Sequence, residues 1–164
     1  MIDKNKATLN FIATYPEMAT SPIFMNFINA TNDDVQFLTS GNDKDLNKEF
    51  VDGSVMKQYI FSIVITKTIA SMALAKEGAN GENTIDGENI DDMAEVQAFM
   101  DWINKQGKDQ NYPDFGSDCV IEEMHTTAEN PSIDGINTET GPALALYSVE
   151  IRIVYIDYSD VIWS

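Results

Sequence analysis

The sequence predicts an α+β fold, with an antiparallel or mixed β-sheet and about two helices packed on one face of it. Two long segments, 55–67 and 144–157, alternate apolar and polar residues, which is the pattern of a half-buried strand. A third segment, 91–106, repeats its apolar residues at helical spacing. This mixture favours a sheet layer covered by helices. The 164 residues are predicted to form one domain, 1–164, which is long enough to bury a core.

The first part of the chain predicts a short helix and then a hairpin. Residues 4–15 carry apolar side chains at helical spacing, and Pro16 should end this helix because proline disfavours helical geometry in the preceding residue. Two short apolar runs, 23–29 and 35–39, are separated by turn-forming residues and predict a pair of strands. A hairpin is the simplest arrangement of these two runs.

The middle of the chain predicts one clear strand between two irregular stretches. Residues 40–54 are polar and allow a short helical turn around 44–50. Residues 55–67 form the long strand. Residues 68–90 begin with a run that fits either a helical turn or a strand end, and they continue as a loop rich in Gly and Asn.

The segment 91–106 gives the strongest helix prediction. Asp91 or Asp92 is suited to cap its N-terminus, and Gly107 is expected to mark its end. Its apolar stripe consists of Met93, Val96, Phe99, Met100 and Ile103.

The last part of the chain predicts two strands joined by a loop. Residues 119–127 form the first strand, and residues 128–142, rich in Pro, Gly, Asn, Ser and Thr, form the loop. In the final strand, 144–157, one face is apolar. That face consists of Tyr147, Val149, Ile151, Ile153 and Tyr155.

Charge is the strongest compositional signal. The net charge of −17 comes from 27 acidic and 10 basic residues, and Arg152 is the single arginine. Nucleic-acid binding depends on basic side chains that displace counterions from phosphates, so direct binding to DNA or RNA is excluded. Two interpretations of the charge stay open. It is either a solvated surface that keeps the protein soluble or an acidic lumen past which DNA slides.

The sequence offers no recognisable catalytic or metal site. Cys119 and His125 lie six residues apart on one predicted strand face, about 20 Å from each other, whereas a nucleophilic pair must touch. One Cys and one His also fall short of the four ligands of structural zinc. P-loop, nucleophile-elbow and dinucleotide-binding motifs are missing. We therefore predict no enzyme activity, cofactor or metal. Loose binding of a divalent ion stays open for five acidic residues: Glu82, Asp86, Glu88, Asp91 and Asp92.

The sequence also bears on the cellular location of the protein. The N-terminus does not have the pattern of a signal peptide, and no apolar run approaches the ~20 residues that span a bilayer. No membrane partner is expected. A single cysteine, Cys119, rules out an intramolecular disulfide and fits a reducing compartment.

Three ordered motifs carry a resemblance to a known family. The turn Val-Asp-Gly-Ser at 51–54 enters a long strand, a helix with Trp102 follows, and a long final strand closes the set. The chain resembles in this respect the small virion proteins of siphophages of Gram-positive hosts, which are called minor capsid proteins and are related to tail terminators. The matching residues are Phe50, Val51, Asp52, Gly53, Ser54, Lys57, Gln58, Tyr59, Phe61, Phe99, Trp102, Pro113, Arg152, Val154 and Tyr155. The chain departs from the family in its longer 68–90 stretch and its acidic charge.

The resemblance implies a structural protein without an active site. Tail terminators are α+β subunits that close into a hexameric ring, cap the tail tube and face the head connector. The implied partners are copies of this chain, the tail tube protein and the head connector protein. The implied location is the virion, after assembly in the cytoplasm of the bacterial host.

Five residues are candidates for the contact between subunits. Trp102 lies at the edge of the apolar stripe and is either core-edge packing or an interface anchor. The candidate set is Trp102, Trp163, Tyr59, Tyr155 and Arg152. The competing hypothesis is a monomeric acidic inhibitor or DNA mimic that occupies a basic site on a target.

Overall fold

The computed structural model confirms the α+β fold class. The residues that it describes are 3–16, 23–25, 35–68, 75–77, 83–85, 87–137, 144–159 and 161. In chain order the elements are α1 (Lys4–Ile12), β1 (Ile23–Met25), β2 (Val35–Glu49), β3 (Val55–Thr68), β4 (Ala75–Glu77), β5 (Asn83–Ile85), α2 (Gly87–Lys108), β6 (Cys119–Thr126), β7 (Ser132–Asn137) and β8 (Leu144–Asp157).

Within the described ranges, the strands form one six-stranded sheet and one separate two-stranded sheet. The large sheet has the order β1-β2-β3-β8-β6, and β7 also pairs with β8. Its pairs are antiparallel except for β1 and β2, which run parallel. The small sheet is the antiparallel pair β4 and β5. The sheet is therefore mixed, as the sequence allows.

The pair β3 and β8 is the spine of the sheet. It is in continuous register from Val55 opposite Asp157 to Thr68 opposite Leu144, with no bulge. Both strands were predicted from their alternation, and both are confirmed. A one-residue slip would move every apolar side chain to the other face, so the matching alternation of the two strands specifies this register.

The core lies between the helices and one face of this spine. α1 and α2 both pack on that face, because the buried residues of both helices belong to the same cluster as the odd-numbered residues of β3 and β8. The largest fully buried side chains are Tyr147, Tyr155, Phe61, Phe99, Ile12, Ile63, Ile103, Ile151, Ile153 and Val96. The predicted stripe of α2 and the predicted apolar face of β8 are thus confirmed, except that Met93 is 40% exposed.

The helix termini differ from the prediction. Asp3 caps α1, since its Oδ1 accepts from the backbone N–H groups of Asn5 and Lys6. α1 ends at Ile12, earlier than the predicted Tyr15. α2 begins at Gly87, so neither predicted Asp cap is correct, and it continues through the predicted stop at Gly107 to Lys108.

The predicted hairpin between the runs 23–29 and 35–39 is wrong. β1 and β2 are parallel, with Ile23 opposite Val35, and cannot form a hairpin. The predicted helical turn at 44–50 is also wrong, because β2 continues to Glu49 and pairs with β3. Pairing with the strongly apolar β3 overrides the weak strand propensity of this polar stretch.

Strands occupy parts of two segments that were predicted wholly or partly as loops, and Ala75 and Lys76 of β4 lie in the run for which a strand end was one alternative. β4 and β5 pair within 68–90, and β7 pairs with β8 within 128–142. Gly, Asn and Pro in these segments favour turns. However, β7 lies beside an established strand whose backbone groups need partners, which compensates for its low propensity.

The true hairpin joins β2 to β3 through the Val-Asp-Gly-Ser turn. Gly53 has a φ of 92°, which glycine adopts without strain. The Oδ1 atom of Asp52 accepts from the N–H of Ser54 at 2.9 Å and from its hydroxyl at 2.6 Å. These two hydrogen bonds lower the pKa of the Asp52 carboxyl, and the bond from the Ser54 hydroxyl has the larger effect. The hydrogen bonds between Asp52 and Ser54, and the positive φ of Gly53, therefore explain why these residues form the turn.

Gly107 allows α2 to lie directly against β6. A Cβ at this position would stand 2.0 Å from the carbonyl oxygen of Met124. No side chain fits there, because the obstacle is backbone and not a flexible side chain.

We expect Gly107→Ala to destabilise the protein by about 1–3 kcal/mol, because α2 must move away from β6. Helix propensity alone would give the opposite sign, a gain of about 1 kcal/mol. Urea unfolding of both proteins measures the difference, and the exposed neighbour Lys108→Ala is the control. A variant as stable as the parent would contradict the close approach.

An ion pair joins the two strands of the spine at one end. Lys57 Nζ donates to Asp157 Oδ2 at 2.9 Å. Burial raises the pKa of Asp157, but hydrogen bonds from Ser159 and the charge and hydrogen bond of Lys57 outweigh it and lower the pKa from 3.8 to about 2. A folded-state pKa below the unfolded value means that this carboxylate contributes stability above pH 3.8 and loses it as the pH falls to about 2.

We expect Asp157→Asn to be less stable than the parent at neutral pH, with a difference that shrinks as the pH falls from 3.8 to about 2. Urea unfolding across this range measures the difference, and the exposed Asp118→Asn is the control. A difference independent of pH would show that the carboxylate charge is not what stabilises the strand ends.

Candidate functional site

Two of the candidate interface residues lie in the core of the subunit. Tyr155 is 0% exposed and Tyr59 is 4% exposed. Phe115 packs edge-on against both rings, the Tyr59 hydroxyl donates to Asn5, and Lys4 Nζ lies 5.4 Å from the centre of the Tyr155 ring. Both side chains are satisfied within one subunit, so they present no surface to a second one in this conformation.

Trp102 occupies the seam between the two helices. Its ring is half-buried and lies 5.3 Å from Phe11, 5.1 Å from Tyr15 and 6.2 Å from Phe99, centre to centre. These contacts account for its position at the edge of the apolar stripe. Trp163 lies outside the described residues.

A bulge in β6 separates the two residues that were predicted to share a face. Ile121 pairs with Tyr155 and Glu123 pairs with Val154, so one extra residue lies between them. Before the bulge Cys119 packs against the core, whereas after it Met124 and Thr126 are the buried side chains. His125 therefore faces away from Cys119, and the prediction of a common face is wrong.

The outer edge of β6 is closed by α2 and the loop after it. Asn104 Oδ1 accepts from the Thr126 N–H at 3.0 Å, and Asn104 Nδ2 donates to the Thr126 hydroxyl at 3.0 Å. The Tyr112 hydroxyl lies within hydrogen-bond distance of the carbonyl oxygens of Gly107 and Glu122. A covered edge cannot pair with a further strand.

Arg152 lies on the sheet face opposite the helices. Its Nε donates to Gln58 Oε1 at 2.9 Å, which fixes the orientation of the guanidinium. Among the described residues, no acceptor meets its Nη groups and no carboxylate forms an ion pair with it. His125 is its cross-strand neighbour on β6, and the buried Nδ1 of His125 has no partner in that part of the chain. The single arginine and the single histidine are thus side by side.

Apolar side chains adjoin this pair on the same face. Ile60 is opposite Arg152 on β3, and Met56 is opposite Ile156 near the end of the spine. Val120, opposite Ile156 on β6, is 47% exposed. We call Arg152, Gln58, His125, Ile60 and Val120 the arginine face.

An acidic groove of about 780 Å³ follows the edge of β6 beside the C-terminal half of α2 and shares His125 with the arginine face. Its charged walls are exposed carboxylates with two lysines, one of which, Lys105, pairs with Asp109. The pKa of the Tyr112 hydroxyl in this groove is raised, mainly by burial and to a smaller extent by the negative charges of Glu122 and Glu123. The carboxylates are Asp101, Asp109, Glu122 and Glu123.

The described residues contain no group of three or more His, Cys, Asp or Glu that could hold a metal ion. No helix in the same ranges is long and apolar enough to cross a membrane. The side chains of all five acidic residues considered for a divalent ion lie outside the described part of the chain.

No family model, curated protein or solved structure matches this chain. The functional argument therefore depends on the geometry of the chain itself. Of the candidate residues, Trp102 and Arg152 are the two that the structure leaves partly exposed. Sequence reasoning missed Gln58 and His125 as neighbours of Arg152, because only strand register brings them together.

We expect Trp102→Ala to destabilise the subunit by about 2–4 kcal/mol, because three aromatic rings lose a partner. Trp102→Phe retains a ring and should cost less than half as much. Urea unfolding measures both. An alanine variant of unchanged stability would show that Trp102 is not a packing residue and would favour an interface role.

Proposed function

We propose that this chain is a structural virion-assembly protein of a tailed phage or prophage, a tail-terminator subunit that forms a ring at the head-tail junction. The proposed partners are copies of the same chain, the tail tube protein and the head connector protein. Its proposed location is the virion, after assembly in the host cytoplasm. It has no proposed catalytic role.

The observation that carries the proposal is the unlike character of the two sheet edges. Asn104 and the close approach at Gly107 seal the β6 edge. At the other edge, within the described ranges, β1 covers β2 only from Val35 to Phe37, while β2 continues to Glu49. A subunit with two different edges is suited to a heterologous contact, in which one edge of each copy meets the other edge of the next copy. Such contacts close into a ring when the rotations between successive copies add up to a full turn.

The ordered motifs of the resemblance support the same proposal. The Val-Asp-Gly-Ser turn leads into β3, Trp102 lies on α2, and β8 is the final long strand. Cys119 and His125, which the sequence already placed too far apart for a nucleophilic pair, face opposite sides of β6. The spine pairs two 14-residue strands in continuous register.

The acidic groove favours a second candidate function. Its exposed carboxylates could occupy a basic site on a target, as expected of a monomeric inhibitor or DNA mimic. The two functions differ in self-association, since a mimic acts as a monomer and a ring subunit does not.

We expect light scattering over a wide concentration range to give a discrete oligomer, with six subunits of 18.3 kDa as the expected number. Negative-stain images should then show closed rings. A monomer at every concentration, together with tight and strongly salt-dependent binding to a polycation, would favour the mimic and contradict the ring.

A further inference from the structure

We propose that the arginine face is a contact between copies of this chain, in which Arg152 binds an exposed carboxylate of a second copy. This inference rests on the proposed self-assembly and names the surface that mediates it. The guanidinium of Arg152, its neighbours and the charge of the chain each contribute to the argument.

The guanidinium of Arg152 is held in place through its Nε atom. Gln58 accepts from Nε at 2.9 Å, and no acceptor meets the Nη groups among the residues that the structure describes. A guanidinium fork binds a carboxylate through two parallel hydrogen bonds. Because Gln58 has already fixed the plane of the group, little side-chain entropy is lost when that carboxylate arrives.

The neighbours of Arg152 are suited to an interface. His125, the cross-strand neighbour of Arg152 on β6, is half-buried, so part of its side chain reaches the surface beside the guanidinium. Ile60 is opposite Arg152, and Val120 on the same face is 47% exposed. Apolar surface around a guanidinium is typical of protein contacts, where covering it excludes water and strengthens the ion pair.

Charge complementarity identifies the second copy as the occupant. The chain has 27 acidic residues and one arginine, with a net charge of −17. Copies of so acidic a protein repel one another unless carboxylates meet a cation at the contact. The described surface provides such carboxylates, among them Asp101, Asp109, Glu122 and Glu123 of the acidic groove.

The test is sedimentation of the full-length chain and three variants over a concentration series. Arg152→Gln should raise the dissociation constant of self-association by roughly 10- to 100-fold. Arg152→Lys should raise it by less, because the ammonium keeps the positive charge although it lacks the planar fork. Lys6→Gln removes the same charge from an exposed position on α1, outside both the arginine face and the acidic groove, and should leave the constant unchanged within a factor of two. Raising the salt concentration screens the ion pair, so the difference in dissociation constant between the parent and Arg152→Gln should shrink.

The same variants also show whether the substitutions affect folding and whether Arg152 binds a different ligand. Urea unfolding of each variant at a concentration where it is monomeric separates loss of the contact from loss of the fold. If Arg152→Gln folds and associates as the parent does, the contact is wrong while the proposed function stands. If the parent never associates, both fail. If inorganic phosphate stabilises the parent but not Arg152→Gln and leaves the mass unchanged, Arg152 is an anion site and the contact is also wrong.

Discussion

The unbroken register between β3 and β8 is the constraint on which the rest of the structure depends. Each strand alternates, and pairing them from Val55 opposite Asp157 to Thr68 opposite Leu144 places all of the odd-numbered apolar residues on one face. Both helices pack there. The even-numbered residues form the other face, where Arg152 and Gln58 meet. A slip by one residue would exchange the two faces and leave the core polar.

The two edges of the sheet show how the molecule controls strand pairing. At β6, the absence of a side chain at Gly107 lets the helix backbone lie against the carbonyl of Met124, and Asn104 satisfies Thr126. The bulge after Ile121 further interrupts this strand. At β2, by contrast, the described backbone pairs with β3 along most of its length and with β1 only near its start. Within the described residues, α2 therefore decides which edge of the sheet is covered.

In the proposed assembly, the acidic charge makes contacts between copies dependent on a few cations. Among the described ion pairs, Lys57 is used within the subunit by Asp157, and Lys105 is used by Asp109. Arg152 is held by a neutral amide instead. Among the described residues no carboxylate pairs with it, which is why the proposed assembly contact is placed there and not at the buried tyrosines.

The sequence by itself determined the fold class, the three longest strongly patterned elements and the strand at β6, because burial on one face leaves a periodic record along the chain. It did not determine β2 beyond Thr39, β7 or the β4–β5 pair, since their residues favour turns and only neighbouring strands hold them extended. It named Arg152 and Trp102 but assigned Tyr59 and Tyr155 to a surface, although both lie in the core. The meeting of Arg152, Gln58 and His125 was decided by the tertiary structure alone, because register and a single bulge bring together residues up to 94 positions apart.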